Sequence, residues 1–171
     1  MNRKVVLITS VVLFLLTSIG MAFIDTFMQN EITPYGIISF EFIKSIEASN
    51  SAMQAWGDIG KTATGISLGI DFFYIALYII IVCIALNMTA EKVLIINPSF
   101  SKLLLFTAYV FPVVGLLDVA ENYSLIQLLL ESQNSAWPIT AYYCAAAKFG
   151  GLAIVLMLIG CGQVYAKIKA R

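Results

Sequence analysis

Four long stretches of this chain carry almost no polar residue, and they set its organisation. Residues 5–24 form an uncharged run of 20. Residues 62–88 contain a single charge, Asp71. In 103–130 the only charges are Asp118 and Glu121, and in 138–166 the only one is Lys148. Crossing the hydrocarbon of a bilayer takes about 20 apolar residues as a helix. The pattern therefore predicts an all-α, four-transmembrane-helix bundle, with residues 1–171 as one integral membrane domain. The first run follows Asn2-Arg3-Lys4 and ends near Gly20-Met21-Ala22, which resembles a cleaved signal. Its apolar length exceeds the usual signal core of about 7–15 residues, so a retained helix is expected.

The connections are unequal. Residues 91–102 make a short loop with Asn97-Pro98-Ser99 as a turn, and 131–137 make another. Residues 25–61 are longer and patterned. Thr33 before Pro34 suits a helix start, with proline at the first helical position. Tyr35, Ile38, Phe42 and Ile46 then recur at helical spacing, with Glu41, Lys44 and Glu47 at polar positions. Residues 38–42 also alternate as a strand would. The favoured expectation is a short amphipathic helical segment within 33–57, its apolar face on lipid or on the bundle. Ser51-x-x-Gln54 reads as a capping box for a second short helix ending at Gly57, and Asp58 as the cap of the second span.

Composition agrees with membrane insertion. Of 171 residues, 60% are hydrophobic and only 12% charged, about half the share in soluble domains. Ten basic and ten acidic groups cancel, which excludes a basic nucleic-acid-binding face and a disordered chain. The basic groups are unevenly placed. Arg3, Lys4, Lys92, Lys102, Lys167, Lys169 and Arg171 flank one side, against Lys44 and Lys61 on the other. By the positive-inside rule both termini are cytoplasmic. The outer side then collects Asp25, Glu31, Glu41, Glu47, Asp58 and Glu131, with Trp56 and Trp137 at the outer interface.

Much chemistry is absent. With no histidine there is no imidazole base and no His-ligated metal or haem. Cys83, Cys144 and Cys161 form no Cys-x-x-Cys pair and read as packed thiols. Gly60-Lys61-Thr62 lacks the upstream glycine of a phosphate-binding loop, since position 55 is Ala55. The glycosylation-like Asn87-Met88-Thr89 and Asn122-Tyr123-Ser124 fall on the cytoplasmic side and inside a helix.

The intramembrane charges carry the functional signal. At 1.5 Å per residue, Asp71, Asp118, Glu121 and Lys148 all lie roughly 14–18 Å from the outer end of their helices. Each would cost roughly 2.5–3.5 kcal/mol at a helix centre, so they are expected to face inward and pair. Asp118 and Glu121, three apart, share a face that Asn122 extends. Ser67, Asp71, Tyr74 and Tyr78 form a polar stripe on the second span, and Cys144 and Lys148 stand four apart on the fourth. Gly65 and Gly69, and Gly150-Gly151 after Ala146-Ala147, are candidate close-approach points. Pro112 is expected to bend the third span. Three acids against one lysine leave a formal excess of two negative charges. A retained proton, a bound cation or water would resolve it.

In their order, Phe40-Glu41-Phe42, Trp56, Gly69-Ile70-Asp71-Phe72-Phe73 with Tyr78, and Asp118-Val119-Ala120-Glu121-Asn122 resemble a group of small uncharacterised bacterial four-helix membrane proteins. Their pattern is a Phe-Glu element, a Leu-Asp-Phe-type element and Asp-x-x-Glu-Asn. Position 70 is isoleucine here rather than the commoner leucine. The resemblance implies the four-span architecture and a bacterial inner-membrane location. It brings no activity with it, and it makes Glu41 a candidate to fold down over the pocket.

Three functions follow as expectations. In the first, a carboxylate/lysine pocket of Asp71, Asp118, Glu121, Asn122 and Lys148 opens outward. Glu41, Ser67, Tyr74, Tyr78 and Cys144 are its further candidates. It would bind a polar small molecule, a lipid headgroup or a cation, with proton coupling as a variant. No cofactor is predicted. A metal held by Asp71, Asp118 and Glu121 would be a hard cation. The second is a lipid-modifying enzyme using carboxylate acid–base chemistry, for which no nucleophile motif speaks. The third is an accessory subunit, in a homo-oligomer or a larger membrane complex.

Overall fold

The computed structural model describes residues 2–169. Among them there is no strand, and four helices are long and apolar enough to cross a membrane. Helix α1 is Arg3–Asp25, and the Asn2 side chain caps it by accepting from the Lys4 amide. A 3-10 turn, Thr26–Met28, follows, then the short α2, Gly36–Glu41. Helix α3 is Ile46–Leu94, α4 is Pro98–Val110, α5 is Pro112–Leu129 and α6 is Ala136–Lys169. Helices α4 and α5 form one spanning unit, interrupted at Phe111 where Pro112 supplies no amide donor. The interruption falls where Pro112 was expected to bend the span, while Phe111 keeps helical φ −56 and ψ −33.

Helix α3 is the hub, packing against α1, α4, α5 and α6, while α5 and α6 pair closely. Helix α1 is peripheral. It leans on α3 and buries only Ser10 along its length. One end of the bundle carries the connection 26–57 and the 130–135 turn, and is called here the roofed end. The other, basic end joins Arg3 to Glu91 in an exposed ion pair of 2.6 Å and Lys92 to Gln163 in a hydrogen bond of 2.8 Å. Arg171, counted above with the basic flank, lies outside the described residues.

The roof differs in detail from the expected helix over 33–57. Thr33 does not cap a helix. Its hydroxyl is buried and donates to the Met28 carbonyl at 2.6 Å, holding the loop closed. The Trp56 indole N–H donates to the same carbonyl at 2.8 Å and to Thr33 Oγ1 at 2.9 Å. Trp56 is thus buried as the pin of the roof rather than placed at an interface. Trp137 is half-buried, and its N–H donates to Ser132 Oγ. The second short helix begins earlier than Ser51. Ser45 is its cap, accepting from the Ala48 amide, and the Ser51 hydroxyl donates back to the Glu47 carbonyl. Gly57, at φ 62 and ψ −165, breaks α3 where the expected end lay. In α2 the burial is inverted against the expected faces: Phe40 and Glu41 are buried, whereas Tyr35, Ile38 and Phe42 are exposed.

Helix α2 also reaches down the bundle. Phe42 packs edge-on to Tyr142 and stacks near Phe149, both well inside α6. Its anchor is Asp25, whose Oδ1 accepts from the Ile37 amide at 2.7 Å. Gly36 makes this approach possible, at φ 54 and with the Asp25 carboxylate in the space a Cβ would take. The other turn uses a different device. Glu131, at φ 62, ends α5 with Glu131 N–H to Leu128 O and Ser132 N–H to Gln127 O, a Schellman closure.

Close approach between helices is made by glycines other than Gly65 and Gly69. Gly69 faces open space and Gly65 meets only Leu129, at 3.5 Å. Gly115 of α5 instead lies against Ile79 of α3, and Gly151 of α6 against Val114 of α5. Two apolar clusters result. One, at the roofed end, gathers Phe40, Trp56, Leu68, Leu125 and Ala141. The other, toward the basic end, gathers Ile75, Leu86, Leu104, Phe111 and Val155. Asp71, Asp118, Glu121 and Lys148 fall in the sequence gaps between these sets, so a polar layer separates two cores.

Gly36→Ala is expected to lower stability by about 1–3 kcal/mol, because it adds a side chain at positive φ against Asp25. Gly69→Ala, in open space within a helix, is expected to be neutral or to stabilise by up to about 1 kcal/mol. Thermal unfolding in detergent checks both, and equal effects would contradict this account of the roof.

Candidate functional site

Three elements deliver charge to one point. The Lys148 ammonium of α6 donates to Asp118 Oδ1 and to Glu121 Oε1 of α5, each at 2.9 Å. Glu121 Oε2 is also 2.9 Å away, but forms no hydrogen bond. Glu41 Oε2 of α2 stands 3.7 Å from the same ammonium. Asp118, Glu121 and Lys148 are all buried, as their mid-helix positions require. Asp118 has a second donor, the Tyr78 hydroxyl, at 3.0 Å from Oδ2. The i, i+3 spacing of Asp118 and Glu121 is what lets one ammonium reach both.

Asp71 sits beside this triad rather than in it. Its Oδ2 accepts from Asn122 Nδ2 at 2.6 Å, and it makes no ion pair among the described residues. Tyr74 is one turn on; its hydroxyl accepts from Ser18 Oγ of α1 at 3.3 Å, and its ring stacks on Phe14 at 4.4 Å. Ser67 is buried but makes no side-chain bond to the cluster. Cys144 is half-buried and makes no hydrogen bond to it either. The thiols do not behave as one class: Cys83 donates weakly to the Ala108 carbonyl, at 3.4 Å, whereas Cys161 is exposed rather than packed.

A cavity of about 300 Å³ adjoins the cluster. Glu41, Asp71, Tyr74, Tyr78, Asp118 and Lys148 form its polar wall. Ser18 and Met21 of α1, Ile37 and Ile38 of α2, and Phe149 and Leu152 of α6 complete it. None of these last six was expected as a site residue from the sequence. Ser18 offered a signal, as a polar residue in an apolar helix, and Leu152 lies four residues beyond Lys148 on the same face. No pattern tied Met21 or Phe149 to the cluster.

The charge excess is larger than three acids against one lysine, because Glu41 joins them. Glu41 is only 7% exposed, and its Oε2 has no hydrogen-bond donor. Glu41 and Glu121 both face the one Lys148 ammonium. Burial pushes the Glu41 carboxyl up to about 7, against the opposing pull of Lys148. As for a metal, the ammonium of Lys148 already fills the space between Asp118 and Glu121. Among the described residues, no three carboxylate or thiol groups gather into a set that could hold an ion. The set Asp71, Asp118 and Glu121 therefore does not fit a hard cation in this arrangement. Comparison with family models, with curated proteins and with solved structures finds no match to this chain.

Removing the shared cation is expected to be the most damaging single change in the cluster. Lys148→Met strands Asp118 and Glu121 in low dielectric, at a cost of about 3–5 kcal/mol. Adding Glu121→Gln to it should recover part of that loss. Detergent melting curves of the three proteins measure this, and full additivity of the two substitutions would refute the coupling.

Protonation of Glu41 gives a second expectation. The folded protein holds this proton more tightly than the unfolded chain does. The resulting stability is complete below about pH 4.5 and is lost as pH rises through about 7. Wild type is therefore expected to lose on the order of 2–3 kcal/mol between pH 5 and pH 8. Glu41→Gln should flatten that slope, and an unchanged slope would show that Glu41 is not the group responsible.

Proposed function

We propose that the chain is an integral protein of the bacterial inner membrane that binds a polar, positively charged ligand in the pocket lined by Asp71, Asp118 and Lys148, with Asn122 and Glu121 outside its lining and bonded to Asp71 and Lys148. The observation that carries this reading is the coincidence of the cavity with the charge cluster. A purely structural ion network has reason to exclude space. Here about 300 Å³ is left open, lined by three carboxyl groups, Glu41, Asp71 and Asp118, and by Lys148, with Glu121 behind that wall on the same ammonium. Even with Glu41 protonated, the formal balance around Lys148 is two negative charges in excess. A cationic guest offsets that excess where a neutral or anionic one does not.

The same proposal orients the molecule. The basic end faces the cytoplasm with both termini, and the roof faces outward, in accord with the gathering of Arg3, Lys92 and Lys167 at one end. Segment 33–57 rests its apolar side chains on the bundle, as Phe40 and Ile46 do. Glu41 makes the pocket proton-responsive, since loss of its proton adds negative charge beside the ligand.

Native mass spectrometry of the protein released from a mild detergent is expected to show a bound species in wild type and none in Asp71→Asn. Ethylammonium at millimolar concentration should raise the melting temperature of wild type by a few degrees, and leave Asp71→Asn unmoved. A wild type that carries no bound mass and does not respond to ethylammonium overturns the reading.

A further inference from the structure

The access route to the cavity identifies the kind of cation it serves. Helix α1 packs on α3 and makes no substantial contact with α6 among the described residues. The cavity lies in the gap they leave, with Ser18 and Met21 on one side and Phe149 and Leu152 on the other. Ile38 and Phe149, on its rim, are exposed, and both are apolar. Met21 lies in the uncharged run 5–24 and Leu152 in the apolar run 138–166, each long enough to cross the hydrocarbon as a helix. The rim thus meets acyl chains, and the polar wall lies behind it. Above, Trp56, Thr33 and Met28 close the roof with buried hydrogen bonds.

Inside, the groups are not equivalent. Asp118 and Glu121 are engaged by Lys148, and Asp118 also by Tyr78. Asp71 lines the cavity with only an amide as partner, and Glu41 lines it with a buried Oε2 that accepts no hydrogen bond and stands 3.7 Å from the Lys148 ammonium. The Tyr74 and Tyr78 rings stand in the same wall and offer faces that attract a cation.

Resting on the pocket reading above, we propose that the site takes the ammonium head of an amphiphile. The amphiphile enters sideways between α1 and α6, its ammonium on Asp71 beside the two tyrosines and its chain leaving past Met21 and Phe149. Free amines share the ammonium but not the chain, and an apolar rim at hydrocarbon depth favours the lipid-borne source.

The test uses the full-length protein in phosphatidylglycerol vesicles with an N-alkylammonium probe that carries a diazirine on the chain five carbons from nitrogen. Photolysis and peptide mapping are expected to place adducts on Met21, Ile38, Phe149 or Leu152. Asp71→Asn, which keeps an acceptor for Asn122, should reduce them at least tenfold. Leu152→Trp narrows the mouth without touching a charged group. It should reduce the adducts similarly. Adducts spread over the outer faces of α1 and α6, and unchanged in Asp71→Asn, overturn lateral binding. If they occur while ethylammonium still stabilises wild type but not Asp71→Asn, sideways access fails and the cation pocket stands. Should ethylammonium have no effect either, both fall together.

Discussion

The contact of Lys148 with Asp118 and Glu121 is the constraint around which the rest of this bundle is arranged. An ammonium and a carboxylate left apart at that depth each cost several kcal/mol in a low-dielectric surround. Placed 2.9 Å apart they attract strongly, because the same surround screens them little. That requirement fixes the rotation of α5 about its axis, since residues 118 and 121 must both face α6. It also fixes the register between α5 and α6, where Gly151 against Val114 allows the helices to come close enough for a lysine to reach. Tyr78 ties α3 to the same point through Asp118. Three helices long and apolar enough to cross a membrane are thus held by one polar layer, with an apolar core on either side of it doing the packing.

Helix α2 is the element that this layer explains and local propensity does not. Six residues make a marginal helix in isolation. It persists because both its ends are tied: Asp25 receives the Ile37 amide at the start, and Glu41 faces the Lys148 ammonium at the finish. Between them Phe40 is driven into the roof core against Trp56, with ring centroids 4.8 Å apart. The roof and the charge cluster are therefore one structure. A change at Glu41 acts on both, which is why the protonation of this side chain couples the cover of the cavity to its charge.

Much of this was legible in the sequence, for a physical reason. Depth along a helix is linear in residue number, so counting from each predicted end placed Asp71, Asp118, Glu121 and Lys148 at one level. The price of burying charge then demanded that they meet. Rotation about the axis is less legible, and Asp71 shows it: the right depth brought it to Asn122 and the cavity, not to Lys148. The polar stripe on the second span likewise divided, with Tyr78 joining the cluster and Ser67 staying outside it. The connection was read least well, because short helices there answer to tertiary bonds. Ser51-x-x-Gln54 satisfies a local capping rule, yet Ser45 supplies the cap, since burial of Ile46 and Ser49 against the bundle requires the earlier start. Trp56 followed the interfacial preference of indole only in name. Its N–H found two acceptors inside the roof, which an indole at the bundle edge would have left to water.

The peripheral position of α1 completes the argument. Three helices suffice to build the polar layer and both apolar cores, and α1 adds little buried surface to either. What it does add is one wall of the cavity, through Ser18 and Met21, and a hydroxyl that bonds Tyr74. It is joined to the roof through Asp25, so that a shift of α1 moves the start of α2 with it. A helix that contributes little to the core but lines a charged cavity and connects to its cover is placed to vary the width of the gap beside α6. The central helices hold the charges in register, and peripheral α1 borders the space beside them. Under the pocket reading proposed above, that division suits an occupant that comes and goes beside a fixed charged wall.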